Sequence, residues 1–219
     1  MHEQSVARVI MNPWEEEILV ALAWHLRVLS VEQIARTWWQ GQATAKRRAT
    51  DAIKARQKNG WLHVRELLSR PTSPLGGPLV SWTPNHRAPN FDKLSRLLHR
   101  RARTAARKIR VVTATRKTRE LYGVAGPGHR PKLTQLSHEL FVAEIFIRYR
   151  ANGLDVDRQW IGEDQFPKSW PVRSRPDVLL RNQDDKIVRA VEYGGAYTVH
   201  RLSKLHAALR SIPLAYEIW

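Results

Sequence analysis

Residues 30–59 read SVEQIARTWWQGQATAKRRATDAIKARQKN, and their pattern decides the architecture of the first half of the chain. Ser30 and Gln33 have the spacing of a capping box, in which each side chain bonds the other residue's exposed amide. Ile34, Ala35 and Trp38 then fall on one helical stripe. Gln40, Gly41 and Gln42 break that pattern. A further helix is expected from about Thr44 to Asn59. Ala45, Ala49, Ala52 and Ile53 share one narrow face, and such small residues permit close packing. The opposite face carries Lys46, Arg47, Arg48, Thr50, Asp51 and Lys54. Asn59-Gly60 is a C-terminal stop.

The preceding helix starts equally clearly. Asn12 can cap it, Pro13 suits the first turn, and Glu15, Glu16 and Glu17 suit the positive end of its dipole. Trp14, Ile18, Ala21, Leu22 and His25 lie on one face. After Gly60 come two strand-like runs, Trp61 to Glu66 and Leu79 to Thr83, separated by a turn-rich loop at 69–78. They are expected to pair as a hairpin. Three helices followed by a hairpin resemble a winged helix-turn-helix over residues 13–84. That resemblance implies that the third helix enters the major groove of double-stranded DNA. Lys46, Arg47, Arg48 and Lys54 would meet phosphates or guanine edges, and Thr44 and Thr50 would add hydroxyl contacts. Arg70 would probe the backbone or minor groove from the tip of the wing.

Residues 85–133 form a basic connector. From Lys93 to Arg119 there are eleven Lys or Arg and no Asp or Glu. Leu94, Leu97 and Leu98 recur at helical spacing, so a folded basic helix is expected along the DNA backbone. Its candidate contacts are Lys93, Arg100, Arg101, Arg103, Arg107 and Lys108. Ile109 to Thr115 reads as a short strand. GVAGPGHRPK at 123–132 lacks the P-loop pattern and reads as a hinge.

Residues 134–219 predict helix, three strands, helix and strand. The helices run over 134–152 and 198–211, and the strands over Val156–Ile161, Asp177–Leu180, Ile187–Tyr193 and Leu214–Trp219. This order resembles the restriction-endonuclease-like core of the PD-(D/E)xK proteins. Pro176-Asp177 and Glu192 match its acidic motif. The resemblance implies a Mg²⁺ site on Asp177 and Glu192, assisted by Glu139 or Glu144 on the helix. The lysine position of the motif is occupied by Gly194, leaving Lys204 or Arg201 as substitutes. A degenerate domain with no cofactor is therefore expected, and Mg²⁺ only if the site is active.

Both halves together resemble the replication-relaxation proteins of plasmids and mobile elements. The matching stretches are Ser137-His138-Glu139-Leu140-Phe141-Val142, Arg175-Pro176-Asp177-Val178-Leu179, Val191-Glu192-Tyr193-Gly194 and Arg201-Leu202-Ser203-Lys204-Leu205. The resemblance implies a role in replication, in DNA relaxation during transfer, or in control of those genes, with other replication or transfer proteins as partners.

Composition narrows the classes. A net charge of +17 and a pI near 11.0 predict attraction to polyanions. An apolar fraction of 42% argues for packed cores rather than a disordered polycation. No apolar run approaches a membrane span, and residues 1–12 lack a signal-peptide core. With no Cys, neither disulfides nor thiolate zinc sites are available. His138-Glu139 opens a pattern like H-E-x-x-H, but Val142 ends it. The expectation is a mixed α+β fold in a cytoplasmic, nucleoid-associated DNA-binding protein, compatible with a homodimer and without a membrane partner. The rivals are a Mg²⁺-dependent endonuclease and an RNA-associated basic protein.

Overall fold

A computed structural model describes residues 12–167, 169–171 and 175–219. The expectation about a signal peptide therefore lies almost wholly outside the described residues. Helix α1 (Pro13–Val20) is capped as anticipated. Asn12 Oδ1 accepts from the Trp14 amide at 3.1 Å, and Glu15 accepts from the Asn12 amide at 3.2 Å. The helix continues through a π-helical turn over Ala21–His25. Strand β1 (Leu29–Ser30) leads into α2 (Val31–Trp38) through the capping box: Ser30 Oγ accepts from Gln33 N at 3.1 Å, and Gln33 Oε1 accepts from Ser30 N at 2.8 Å. Helix α3 (Ala45–Lys58) buries Ala49 and Ile53 and ends before Gly60, whose φ of +72° favours glycine.

Strand β2 (Leu62–Ser69) does not pair with the next strand in sequence. It pairs antiparallel with β4 (Arg107–Ala114), from Leu62 opposite Ala114 to Ser69 opposite Arg107. β1 flanks the other edge of β4. The expected hairpin of Trp61–Glu66 with Leu79–Thr83 is thus corrected. β3 (Val80–Trp82) joins the second sheet instead, antiparallel to β8 (Ala215–Ile218). The physical reason is Trp82: its indole stacks on Tyr216 at 5.2 Å and packs edge-on to His206 at 5.1 Å, a burial that β2 does not offer. Arg70 is likewise at no wing tip. Its amide donates to Ser137 Oγ at 3.0 Å, which docks the end of β2 on the second half.

The basic connector folds as α4 (Phe91–Arg101) and α5 (Arg116–Leu121) on either side of β4. Leu94 and Leu98 are buried, and α4 packs against α8 (Val199–Arg210). The second half contributes α6 (Leu136–Ala151), α7 (Val156–Gln159), β5 (Trp160–Gly162), β6 (Val178–Arg181) and β7 (Ile187–Glu192). The strand expected at Val156–Ile161 is corrected. Asp155 caps a single helical turn there, accepting from Arg158 N, and the strand begins only at Trp160. The second sheet has the order β3-β8-β7-β6-β5. β5, β6 and β7 are antiparallel, and β8 returns parallel to β7 after α8. The fold is mixed α+β with two sheets.

The strands do not respect the segments 13–84, 85–133 and 134–219. β3 leaves the first segment for the second sheet, and β4 leaves the connector for the first. One apolar core runs from Leu19, Leu22 and Ile34 through Phe146 and Trp160 to Val191 and Trp219. Polar bridges cross the same seam. Gln33 Nε2 donates to Leu140 O at 2.8 Å and to Glu144 Oε1 at 2.7 Å, and Arg36 pairs with the buried Glu144. Trp38 Nε1 donates to Glu17 Oε2 at 2.9 Å, and Arg150 pairs with the same carboxylate. No helix among the described residues is long and apolar enough to cross a membrane.

Candidate functional site

Two surfaces carry chemistry. The first is the outer face of α3. Lys46, Arg47, Arg48 and Lys54 are exposed there, opposite the buried Ala49 and Ile53. Arg48 donates to Gln42 Oε1 at 2.6 Å, and Lys46 Nζ lies 3.7 Å from Glu32. Thr50 donates to Lys46 O at 2.7 Å, so its hydroxyl proton is spent within the helix. Thr44 sits at the N-cap without a side-chain capping bond. On the neighbouring ribbon, Arg65, Arg107, Lys108 and Arg110 are exposed, with Lys108 3.6 Å from Glu66. Lys93 and Arg100 are exposed on α4, and Arg103 on the turn after it.

Arg101 is not a surface contact, and the expectation is corrected. Its Nη2 donates to Gly194 O and to Trp219 O, both at 2.6 Å, and its guanidinium lies 4.3 Å over the Tyr193 ring. Burial lowers its pKa, and the nearby Tyr193 opposes that shift. The signal was in the spacing. Leu94, Leu98 and Arg101 recur at four and three residues, so all three point inward.

The second surface is a cavity of about 500 Å³ between the π-helical turn of α1 and the elements α6, β6 and β7. Val178 is opposite Val191 in the β6–β7 pair, which places Asp177 and Glu192 at the same end of the hairpin. His138 Nε2 meets Asp177 Oδ1 at 2.7 Å, and the Tyr193 amide donates to Asp177 Oδ2 at 2.7 Å. Tyr197 donates to Glu192 Oε1 at 2.6 Å. Burial, reinforced by the charge of Asp177, pushes the Glu192 carboxyl up to about 8. Burial works against a charged His138, but the bond and charge of Asp177, with Glu192 and Glu139 nearby, outweigh it and raise the pKa of the ring.

Glu139, the expected helix acid, also lines the cavity. Its Oε1 lies 3.5 Å from His129 Nε2 and 3.7 Å from Arg27. Arg27 further holds Glu163 at 3.1 Å and Asp164 at 2.5 Å. Glu144 faces the other way, into α2. Of the two proposed lysine substitutes, Arg201 lines the cavity, with its guanidinium 3.7 Å over the Tyr197 ring. Lys204 is exposed on α8 and is not part of the cavity wall. Position 194 itself is closed, because a Cβ there would lie 2.7 Å from Leu98 Cδ2. Any side chain there would require the end of the Leu98 side chain to shift.

The arrangement does not fit Mg²⁺. Carboxylate oxygens are suitable donors. Yet among the described residues no three His, Asp or Glu side chains converge to hold a cation. Arg27, His129, Tyr193 and Tyr197 were missed by the sequence reading. Tyr197 follows Glu192 closely enough to have been suspected, whereas Arg27 reaches its acids only through the tertiary fold. Comparison with family models, curated proteins and solved structures gives no match.

Proposed function

We propose that this chain is a sequence-directed, double-stranded-DNA-binding accessory or regulatory protein of a plasmid or mobile element. In this reading α1, α2 and α3 with β1, β2 and β4 act as a winged helix-turn-helix. The wing is the β2–β4 ribbon, elaborated by residues 70–106. The observation that carries the reading is the outer face of α3, where four exposed cations stand opposite a buried Ala–Ile stripe. The ribbon cations Arg65, Arg107, Lys108 and Arg110 lie on the adjoining element and suit phosphates. The element order from α6 to β8 supports likeness to a PD-(D/E)xK core. The glycine at position 194, where the motif has its lysine, favours binding over metal-dependent cleavage there. A role in replication, transfer or control of the genes for those processes rests on the resemblance of the motifs around His138, Asp177 and Glu192.

The test is selection of bound duplexes from random DNA, with and without Mg²⁺. Enrichment of one motif, lost in Arg47→Ala and Arg48→Ala, supports the reading. Binding of all duplexes alike, unchanged by either variant, overturns it.

A further inference from the structure

We propose that the paired helices α4 and α8 form a second DNA-binding surface, across the second sheet from the core that holds α3, so that one molecule joins two duplexes. The strand faces place the two surfaces. Successive side chains of a strand point to opposite faces. Val178, Leu180 and Val191 turn to the core shared with Ala49 and Ile53 of α3 and Phe146 of α6. Leu179, Ala190 and Ile218 turn the other way, to a separate core with Leu94 and Leu98 of α4 and Leu202 and Leu205 of α8. The core that holds α3 thus lies against one face of the sheet, and α4 with α8 covers the other.

The outer side of that helix pair carries one sign of charge. Lys93, Arg96 and Arg100 on α4, and Arg103 on the turn after it, are exposed and recur at three and four residues, away from the buried Leu94 and Leu98. Lys204 and Arg210 are exposed on α8. Asp92 is the only acid in either helix. Arg201 belongs instead to the cavity wall. A solvated protein surface ordinarily mixes both signs. Here cations three and four residues apart repel along one helix. Lys93 moreover lies in the first turn of α4, where the helix dipole disfavours a cation. A polyanion relieves both costs. The cations of α4 extend over about 15 Å of helix, which suits a run of phosphates along a duplex. A membrane surface would call for an exposed apolar face. Among the described residues α4 exposes no large apolar side chain, and α8 exposes only Val199. The joining of two duplexes rests on the DNA-binding reading of α3, whereas the charge of the α4–α8 ridge does not.

The experiment fixes a duplex carrying the preferred site to a surface, loads the full chain, and measures capture of a second, labelled duplex at several salt concentrations. The parent protein should capture it, with an affinity that falls steeply as salt rises. The triple variant Arg96→Ala, Arg100→Ala and Lys204→Ala replaces exposed side chains and should keep its melting temperature. It should hold the fixed duplex within about twofold of the parent and lose capture at least roughly tenfold, as three phosphate contacts disappear. No capture by the parent overturns the proposal. So does capture that survives the triple substitution, as a dimer joined through two α3 faces would give. Loss of both duplexes together also overturns it, because one duplex would then touch both surfaces. Anionic phospholipid vesicles captured in place of the second duplex overturn it as well. The two readings fail separately. If α3 does not read sequence, Arg47→Ala and Arg48→Ala leave duplex binding unchanged while the triple variant still weakens it. If the ridge fails, the preferred site is still bound and still answers to Arg47→Ala.

Discussion

His138 Nε2 lies 2.7 Å from Asp177 Oδ1, and this pair stands beside a Glu192 carboxyl that burial and the charge of Asp177 push up to about 8. Both His138 and Glu192 have folded pKa values above their ordinary ones, and this fixes the sign of their pH dependence. A raised pKa means that the folded state binds the proton more tightly. For Glu192 the stabilisation is complete below its ordinary value of 4.5 and is lost as pH rises to about 8. For His138 it is complete below 6.5 and is lost as pH rises through the folded value. The melting temperature should therefore fall between about pH 4.5 and about pH 8, with His138 adding to the fall above 6.5. Glu192→Gln, which keeps polar atoms but does not titrate, should flatten that fall. Parallel melting curves for the two proteins across this range would refute the assignment.

Salt dependence separates the exposed cations from the structural one. Arg100→Ala, Arg107→Ala and Lys108→Ala should each flatten the plot of log affinity against log salt, by ~0.9 for every phosphate that no longer meets its cation. An anisotropy titration of any duplex at several salt concentrations measures this. An unchanged slope in all three variants would remove α4 and the ribbon from the interface.

Arg101→Ala should behave differently. It leaves the Gly194 carbonyl without this donor, leaves Trp219 O with only the Gly194 amide, and strips a cation from the Tyr193 ring. A loss of at least about 2 kcal/mol of stability is expected, since hydrogen bonds to charged groups are worth roughly 1.5–3 kcal/mol each. Arg100→Ala, on the outer side of the same helix, should stay within about 0.5 kcal/mol of the parent. Chemical denaturation of the two variants side by side gives the comparison.

On α3, Arg47→Ala or Arg48→Ala should cost about 1–3 kcal/mol on a preferred site and relax base choice there. Equal losses on preferred and random duplexes would restrict these side chains to phosphates.

Purified protein with Mg²⁺ or Mn²⁺ should leave supercoiled plasmid intact, and Asp177→Ala should bind duplex DNA as the parent does. Gel electrophoresis of the plasmid decides. Metal-dependent nicking that disappears in Asp177→Ala would restore the endonuclease reading.

What the sequence made legible was local. Asn12 with Glu15 and Ser30 with Gln33 interact across three residues, so the caps and the helices behind them could be read directly. The inward stripe of α3 and the Asp177–Glu192 placement followed from periodicity and strand order. The partners of β2 and β3 did not. Their pairing depends on Trp82 finding Tyr216, a contact between opposite parts of the chain that no local pattern encodes. The acids around Arg27 are of the same kind, and so is Leu98 closing position 194.

The crossing of strands between sheets has a consequence for how the molecule comes apart. The link between β2 and β3, residues 70–79, is half exposed and holds no buried residue. A protease nick there would separate the polypeptide into two pieces but not into two bodies. The shorter fragment keeps α1, α2 and α3 yet depends on the longer one for β4, while β3 remains seated on β8. The nicked protein should migrate as one species until denatured. Truncation at residue 84 should yield an insoluble product, because it removes a central strand rather than a neighbour. The two halves are spliced together like a rope, and neither can be lifted out whole.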